Sequence, residues 1–409
     1  MRICIVSHYF WPEISAPSSR LSELAQSWIE EGHQVSVVTN LPNHPTGILN
    51  PGYAPNRFQI EDAMGMRILR CRTYATPNQG IVKKTLGHLF FAFQAAWEGS
   101  RHLRGMDVVL ASSPTLFSVI GAWGLSRMLG CPLVMEVRDL WPAIFVELGV
   151  LENRFLIGAL EALELSLYRK SRHVVVVTQA FADDIIRRGV PDRKVSVIPN
   201  GVDLDRFRPG GKPEALQDEF QVRGKFVVLY VGAHGISHGL KSILETARLL
   251  RDDPEIKFVF VGEGAEREAL VESARGMRLT NVAFFPGQPR DRMRDIYHMA
   301  DVCLVPLRNI PLFRTFIPSK MFEIMGAGRP IAASLAGEAA DILARSGGAE
   351  ISPPEDPAAL ASSLRRLKAD PARREELARQ GRAFAARCYD RRALAHDYLR
   401  ILKDATGSP

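Results

Sequence analysis

Short apolar runs alternate with amphipathic helical stretches along almost the whole chain, and they do so in two successive sets. The first set comprises Arg2–Ser7, Gln34–Thr39, Met66–Arg70, Val108–Ala111, Pro132–Val137, His173–Val177 and Val195–Ile198. The second comprises Phe226–Val231, Lys257–Val261, Val282–Phe285, Val302–Pro306, Pro330–Ala333 and Ala349–Ile351. Strands joined by crossover helices are covered on both sheet faces, so they read as continuous apolar runs. Between the sets, Pro199-Asn200-Gly201-Val202-Asp203 carries turn chemistry and Arg208-Pro209-Gly210-Gly211-Lys212-Pro213 reads as a hinge. The expected fold is α/β, with two Rossmann-like doubly wound domains facing a cleft. The first spans 1–206 and the second 207–385, and a C-terminal helix over 386–409 crosses back to the first.

Bulk properties narrow the class. A length of 409 residues suits two or three cores, and 46% hydrophobic with 24% charged residues excludes long-range disorder. Five scattered cysteines (Cys4, Cys71, Cys131, Cys303, Cys388) contain no C-x-x-C pair and fit a reducing compartment. Met1–Val6 reads as a first strand rather than a signal peptide. The uncharged stretch Val108–Ser126 is broken by Ser112, Ser113, Pro114 and Thr115, so it reads as strand, polar loop and buried helix rather than a membrane span.

The net charge of +7 is too small to imply nucleic acid, but it is concentrated. Between Met66 and Arg104 stand Arg67, Arg70, Arg72, Lys83, Lys84, Arg101 and Arg104 against one acid, Glu98. Among them lies Leu86-Gly87-His88-Leu89-Phe90-Phe91-Ala92-Phe93-Gln94-Ala95-Ala96-Trp97. Residues 81–104 therefore suit a membrane interface, with Trp97 and the phenylalanines inserting while Lys83, Lys84 and Arg101 meet lipid phosphates. Leu89, Phe90, Phe93 and Trp97 could equally face the core of the first domain.

Chemistry concentrates in the second set. Gly232 opens a turn through His234, Gly235, His238 and Gly239 after an apolar strand, and Val261-Gly262-Glu263-Gly264 ends the next. Phe285-Pro286-Gly287-Gln288 follows the third. Glycines there would let backbone N–H groups approach a diphosphate, and the Gly287 backbone could bond a base edge. Each also reads as a plain tight turn. The run Pro318-Ser319-Lys320-Met321-Phe322-Glu323 is sharper: Pro318 suits the first helical turn, Ser319 and Lys320 stand at the positive helix end, and Glu323 can accept both ribose hydroxyls. A capped helix with a surface Glu is the bland alternative. In the first set, Arg138-Asp139 follows a strand at its carboxyl edge, where a carboxylate could receive a proton or stabilise oxocarbenium charge; a structural salt bridge with Arg138 is the alternative.

Taken with His8-Tyr9-Phe10-Trp11-Pro12-Glu13, Arg138-Asp139-Leu140-Trp141-Pro142 and Pro199-Asn200-Gly201-Val202-Asp203, these motifs make the chain resemble glycosyltransferase family 4, the retaining enzymes of the GT-B fold. Within the family it is most similar to bacterial surface-polysaccharide enzymes of the fucosaminyl and colanic-acid type. The resemblance implies that Glu323 binds the donor ribose, Lys320 and Ser319 the diphosphate, and that Asp139 lies beside the reacting sugar. The loop after the first strand, through Ser18, would close over the donor.

Two departures stand out. The family's usual Glu-x7-Glu has Thr315 in place of its first acid, and the Arg and Lys that commonly follow the Gly-rich strand are replaced by Ala233, His234 and His238. Asp203-Leu204-Asp205 spells D-x-D but reads as a crossover turn, so no obligatory metal and no cofactor are expected. The expected partners are a nucleotide sugar (uridine favoured, guanosine open; an N-acetylated or deoxy sugar), a lipid-linked saccharide and the cytoplasmic face of the inner membrane. A nucleotide-sugar epimerase of the same fold and a non-catalytic nucleotide- and membrane-binding partner are the rival readings.

Overall fold

The computed structural model describes residues 1–407 apart from 14, 44–46, 55–56, 74–80, 114, 148 and 150. The chain divides into two compact units, one formed by Met1–Pro199 with Arg392–Pro409, the other by Asn200–Arg391. The first therefore ends seven residues before the sequence reading placed its boundary, and Asp203 belongs to the second.

The first unit holds an eight-stranded sheet: β1 Arg2–Val6, β2 Gln34–Asn40, β3 Gln59–Ala63, β4 Met66–Cys71, β5 Val108–Ser113, β6 Leu133–Val137, β7 His173–Val176 and β8 Val195–Val197. The spatial order is β3-β4-β2-β1-β5-β6-β7-β8. All neighbours pair in parallel except β3, which runs antiparallel to β4 as an edge strand. β3 is an element the apolar pattern does not predict. Its helices are α1 Ala16–Glu30, α2 Ile81–His102, α3 Leu116–Leu129, α4 Ala143–Glu147, α5 Arg154–Lys170 and α6 Gln179–Arg187.

The second unit holds β9 Phe226–Val231, β10 Ile256–Val261, β11 Val282–Phe285, β12 Val302–Pro306, β13 Ile331–Ser334 and β14 Ala349–Ser352. All pair in parallel, in the order β11-β10-β9-β12-β13-β14. Helices α7 Glu214–Glu219, α8 Leu240–Leu249, α9 Arg267–Gly276, α10 Met293–Met299, α11 Lys320–Gly326, α12 Glu338–Ser346, α13 Pro357–Ala369 and α14 Pro371–Cys388 cover it. One core layer packs Val227, Leu229, Val259 and Val261 against Phe322 and Met325 of α11. The other packs Val228, Tyr230, Phe258 and Phe260 against α8 and α13.

Helix α15, Arg391–Thr406, completes the first unit's core. Leu394, Tyr398, Leu399 and Leu402 are buried with Ile3, Ile5 and Trp28, and Trp28 Nε1 donates to Ala395 O at 2.9 Å.

Helix α2 has one buried and one exposed side. Phe91 and Ala95 are fully buried. At Gly121 of α3, an added Cβ would stand 2.4 Å from Ala92 O, so only glycine lets the two backbones approach this closely. Leu86, Leu89, Phe90, Phe93 and Trp97 recur every three to four residues on the other side and are all exposed, Phe93 at 61%. They do not face the core. Arg70 is corrected in the opposite sense: it is fully buried, paired with Glu61 of β3 and bonded to Trp11 O, so it adds nothing to a surface charge. Among the described residues no helix is long and apolar enough to cross a membrane.

Candidate active site

In the second unit the strand order reverses at β9, between β10 and β12. Open α/β sheets bind ligands outside the carboxyl ends of their strands at such a point. The loops leaving β9 and β10 meet there backbone to backbone. Gly232 N donates to Val261 O at 3.0 Å and His234 N to Glu263 O at 2.8 Å. A Cβ on Gly262 would lie 1.9 Å from Gly232 O. A Cβ on Gly232, whose φ is 135°, would lie 2.7 Å from Lys320 Nζ.

Lys320 is the centre of this arrangement. Its Nζ is buried, has no hydrogen-bond partner among the described residues, and sits 4.0 Å from the centroid of the Tyr230 ring. Burial pulls its pKa down to about 7 against the opposing pull of Glu323. Both ring nitrogens of His234 and Nδ1 of His238 are likewise buried without partners among the described residues. Burial first, then cations that include Lys320, lowers these imidazoles to about 4 and about 3, so both are neutral near pH 7. A buried ammonium without an acceptor is costly unless a ligand supplies the acceptor.

Glu323 lies one turn along α11. Burial raises its pKa, while Arg290, a hydrogen bond from Tyr297 Oη at 3.0 Å, Arg206 and Lys320 oppose that rise. This side chain is inside the site, not a surface Glu. Ser319 caps α11 without a side-chain cap bond, and Pro318 stands one residue before the cap rather than in the first turn.

Three expected donor contacts are otherwise engaged. Glu263 Oε1 accepts from Gly287 N at 3.4 Å and its Oε2 lies 3.5 Å from Arg267, so Glu263 ties two loops together and takes the N–H that Gly287 was expected to offer. Thr315 ends a 3-10 turn, Pro311–Thr315, and its hydroxyl donates to Leu312 O at 2.7 Å. Asp203 Oδ1 accepts from the backbone N of Asp205 and of Arg206, both at 3.0 Å, so the D-x-D carboxylate closes a turn. Among the described residues no group of three or more His, Cys, Asp or Glu could hold a metal ion.

In the first unit Asp139 follows β6, at the carboxyl edge of the sheet. Burial raises its pKa and Arg138 opposes the rise. Within β6, Glu136 accepts from Arg20 Nε at 3.0 Å and from Ser112 Oγ at 2.9 Å. Burial alone would raise the Glu136 carboxyl, but Arg20 and Arg138 with these bonds hold it below its ordinary value. Arg20 also donates to Pro199 O and Ile198 O. Ser18 is corrected: it is buried in the first turn of α1, with Ser15 as the cap accepting its N–H at 3.3 Å, and is not part of a loop.

On α2, Lys83 is exposed and the Arg101 guanidinium lies 4.5 Å from the Trp97 ring centroid. Phe93 stacks on Trp97 at 6.2 Å. The side chain of Lys84 lies outside the described residues.

Residues 15–201 match the family described as glycosyl transferase 4-like domain, and residues 212–384 match glycosyl transferases group 1. The chain belongs to the GT-B glycosyltransferases. The putative colanic acid biosynthesis glycosyl transferase WcaI of Escherichia coli K12 is 26% identical to this glycosyltransferase over 344 residues, 80% of this chain and 82% of that one. The alpha-galactosylglucosyldiacylglycerol synthase of Streptococcus pneumoniae is 30% identical over 43% of this chain and 47% of its own. Sucrose-phosphate synthase of Thermosynechococcus elongatus shares the fold with a TM-score of 0.79 at 18% identity, 99% of each chain being covered. Anabaena HepE in complex with UDP-glucose does so with a TM-score of 0.73 at 16% identity, over 99% of this chain and all of that one.

Several residues of this glycosyltransferase's candidate site are not singled out by motif. Glu136 had a usable signal, being the only charge in an otherwise apolar strand. Tyr230, Tyr297, Arg206 and Arg290 had none, since nothing in their local sequence marks them and only folding brings them to Lys320 and Glu323.

Proposed function

We propose that this glycosyltransferase moves a sugar, with retention, from a UDP-linked donor to a saccharide carried on a lipid diphosphate at the cytoplasmic membrane face, in the assembly of a bacterial surface polysaccharide. The observation that carries the donor half is the Lys320 ammonium, buried beside Gly232 without an acceptor among the described residues and one turn from the half-buried Glu323. A donor diphosphate supplies an anion and the ribose hydroxyls meet the Glu323 carboxyl. Lys320 and the imidazole N–H groups offset the charge of the leaving diphosphate, so no metal is required. Asp139 stabilises positive charge at the reacting sugar or takes the acceptor proton. The UDP-glucose complex of HepE and the likeness to WcaI support the donor class and the pathway class. The exposed aromatic side of α2, with Lys83 and Arg101, supports the membrane surface.

A panel of nucleotide sugars incubated with lipid-linked saccharides and read by mass spectrometry tests this reading. Asp139→Asn is expected to slow transfer by about 10²–10⁴-fold with nucleotide affinity unchanged, and Glu323→Gln to weaken donor binding. Full-rate transfer by Asp139→Asn removes that residue from the chemistry. Conversion of the nucleotide sugar without any acceptor would show an epimerase instead.

A further inference from the structure

The first unit has a second concave site, at the opposite end of its sheet from Asp139. A cavity of about 1080 Å³ opens where α3 and α5 end and where β6 and β7 begin. Leu133, the first residue of β6, lines it, whereas Asp139 follows the last. The four rises of ~3.3 Å from Leu133 to Val137 alone hold the two ends of the strand roughly 13 Å apart.

Its walls carry Arg127, Arg169, Lys170, Arg172, Arg193 and Lys194 against one acid, Asp404. Among the described residues none of the six cations pairs with a carboxylate. Helix ends explain part of this. Arg127 falls in the last turn of α3 and Arg169 and Lys170 in that of α5, where cations complement the dipole. Lys194 Nζ donates to Arg169 O at 2.6 Å and so closes the same helix. Arg172 and Arg193, both exposed at the rim, have no such partner among the described residues. Arg172 adds instead to the burial that lowers the Lys194 pKa, which is what an uncompensated positive field does. The Lys170 ammonium lies 4.3 Å from the Trp123 ring centroid, giving the cavity an aromatic wall. Like charges crowded in a concavity repel one another and focus potential on an incoming anion, and the volume is that of a small-molecule site.

We propose that this cavity binds a phosphate-rich anion of the pyrophosphate class, either a free phosphorylated metabolite or an anionic lipid headgroup. Arg172 and Arg193 supply the charge that helix ends do not account for, and Lys170 on Trp123 forms the side wall. The site is separate from the donor pocket at Lys320.

Isothermal titration of the full chain with sodium pyrophosphate at fixed ionic strength tests it, in a Lys320→Ala background so that the donor pocket does not contribute. Saturable binding is expected, and adding Arg172→Glu and Arg193→Glu should weaken it at least tenfold with an unchanged Tm. Arg275→Glu with Arg379→Glu, exposed cations of the second unit, should leave it unaltered. Hydrogen exchange should show pyrophosphate protecting 169–173 and 192–196. Absence of saturable binding, or equal weakening by the control pair, overturns the proposal. Flotation with phosphatidylglycerol vesicles separates the sources: loss of flotation in Arg172→Glu/Arg193→Glu identifies a headgroup, and retention with loss of pyrophosphate binding identifies a soluble ligand.

Discussion

A lysine whose ammonium is buried without an acceptor makes ligand binding a proton-linked event. With Lys320 lowered to about 7, the free protein carries it increasingly as the neutral amine above that pH. A diphosphate binds the charged form and raises its pKa again, so binding above pH 7 must be accompanied by proton uptake. UDP affinity is therefore expected to fall up to about tenfold per unit as pH rises from 7 to 9. Titrations in Tris and Hepes, whose ionisation enthalpies differ, count the protons taken up. Zero uptake at pH 8.5 would remove Lys320 from the diphosphate contact. For folding, the unfolded chain binds more protons between pH 7 and 10.5, so this residue makes the free protein more stable as pH rises through that window. The motif containing Lys320 and Glu323 was legible because its residue types are unusual at that spacing. The reach of Tyr297, Arg206 and Arg290 was not, because charge complementarity around Glu323 exists only after the loops are packed.

At the scale of elements, α2 separates two roles that its sequence superimposes. Apolar residues occur nearly all round, and only packing against α3, with Gly121 as the point of closest approach, shows which side is spoken for. Phe93→Ser with Trp97→Ser is expected to leave stability within ~0.5 kcal/mol, as for other exposed positions, while reducing flotation on anionic vesicles. Phe91→Ala, on the buried side, is expected to cost about 3–5 kcal/mol, read by urea unfolding. Flotation unaffected by the first pair would exclude α2 from the membrane contact. The parallel strands were legible because burial on both faces leaves them almost purely apolar. β3 was not: Gln59-Ile60-Glu61-Asp62-Ala63 is half-exposed at an edge, and its return through Met64 and Gly65, both at positive φ, puts methionine where a turn usually advertises itself with Asn or Asp.

Over the whole molecule, the first unit is discontinuous in sequence. Removing 392–409 would strip Leu394, Tyr398, Leu399 and Leu402 from its core and leave Trp28 Nε1 without Ala395 O. Expressed alone, residues 1–199 are expected to be aggregation-prone, and joining 392–409 to them through a flexible linker should restore a cooperative thermal transition in calorimetry. A cooperative transition in 1–199 by itself would show α15 to be dispensable. The alternation of strands and helices made the two-part architecture readable. The break itself was read late because Asn200-Gly201-Val202-Asp203 looks like the end of one domain, whereas Val202 is buried in the core of the next.

That discontinuity also orders events on the ribosome. The second unit has all of its chain once Arg391 has emerged, but the first, although begun earlier, lacks part of its core until Ala405 follows. At ~5–20 residues per second, the roughly 200 residues between Pro199 and Ala405 hold the first unit open for about 10–40 s. During that interval the exposed apolar side of α2 and the unfilled groove beside Trp28 are presented together, so nascent chains should be substrates for chaperones before they are catalysts.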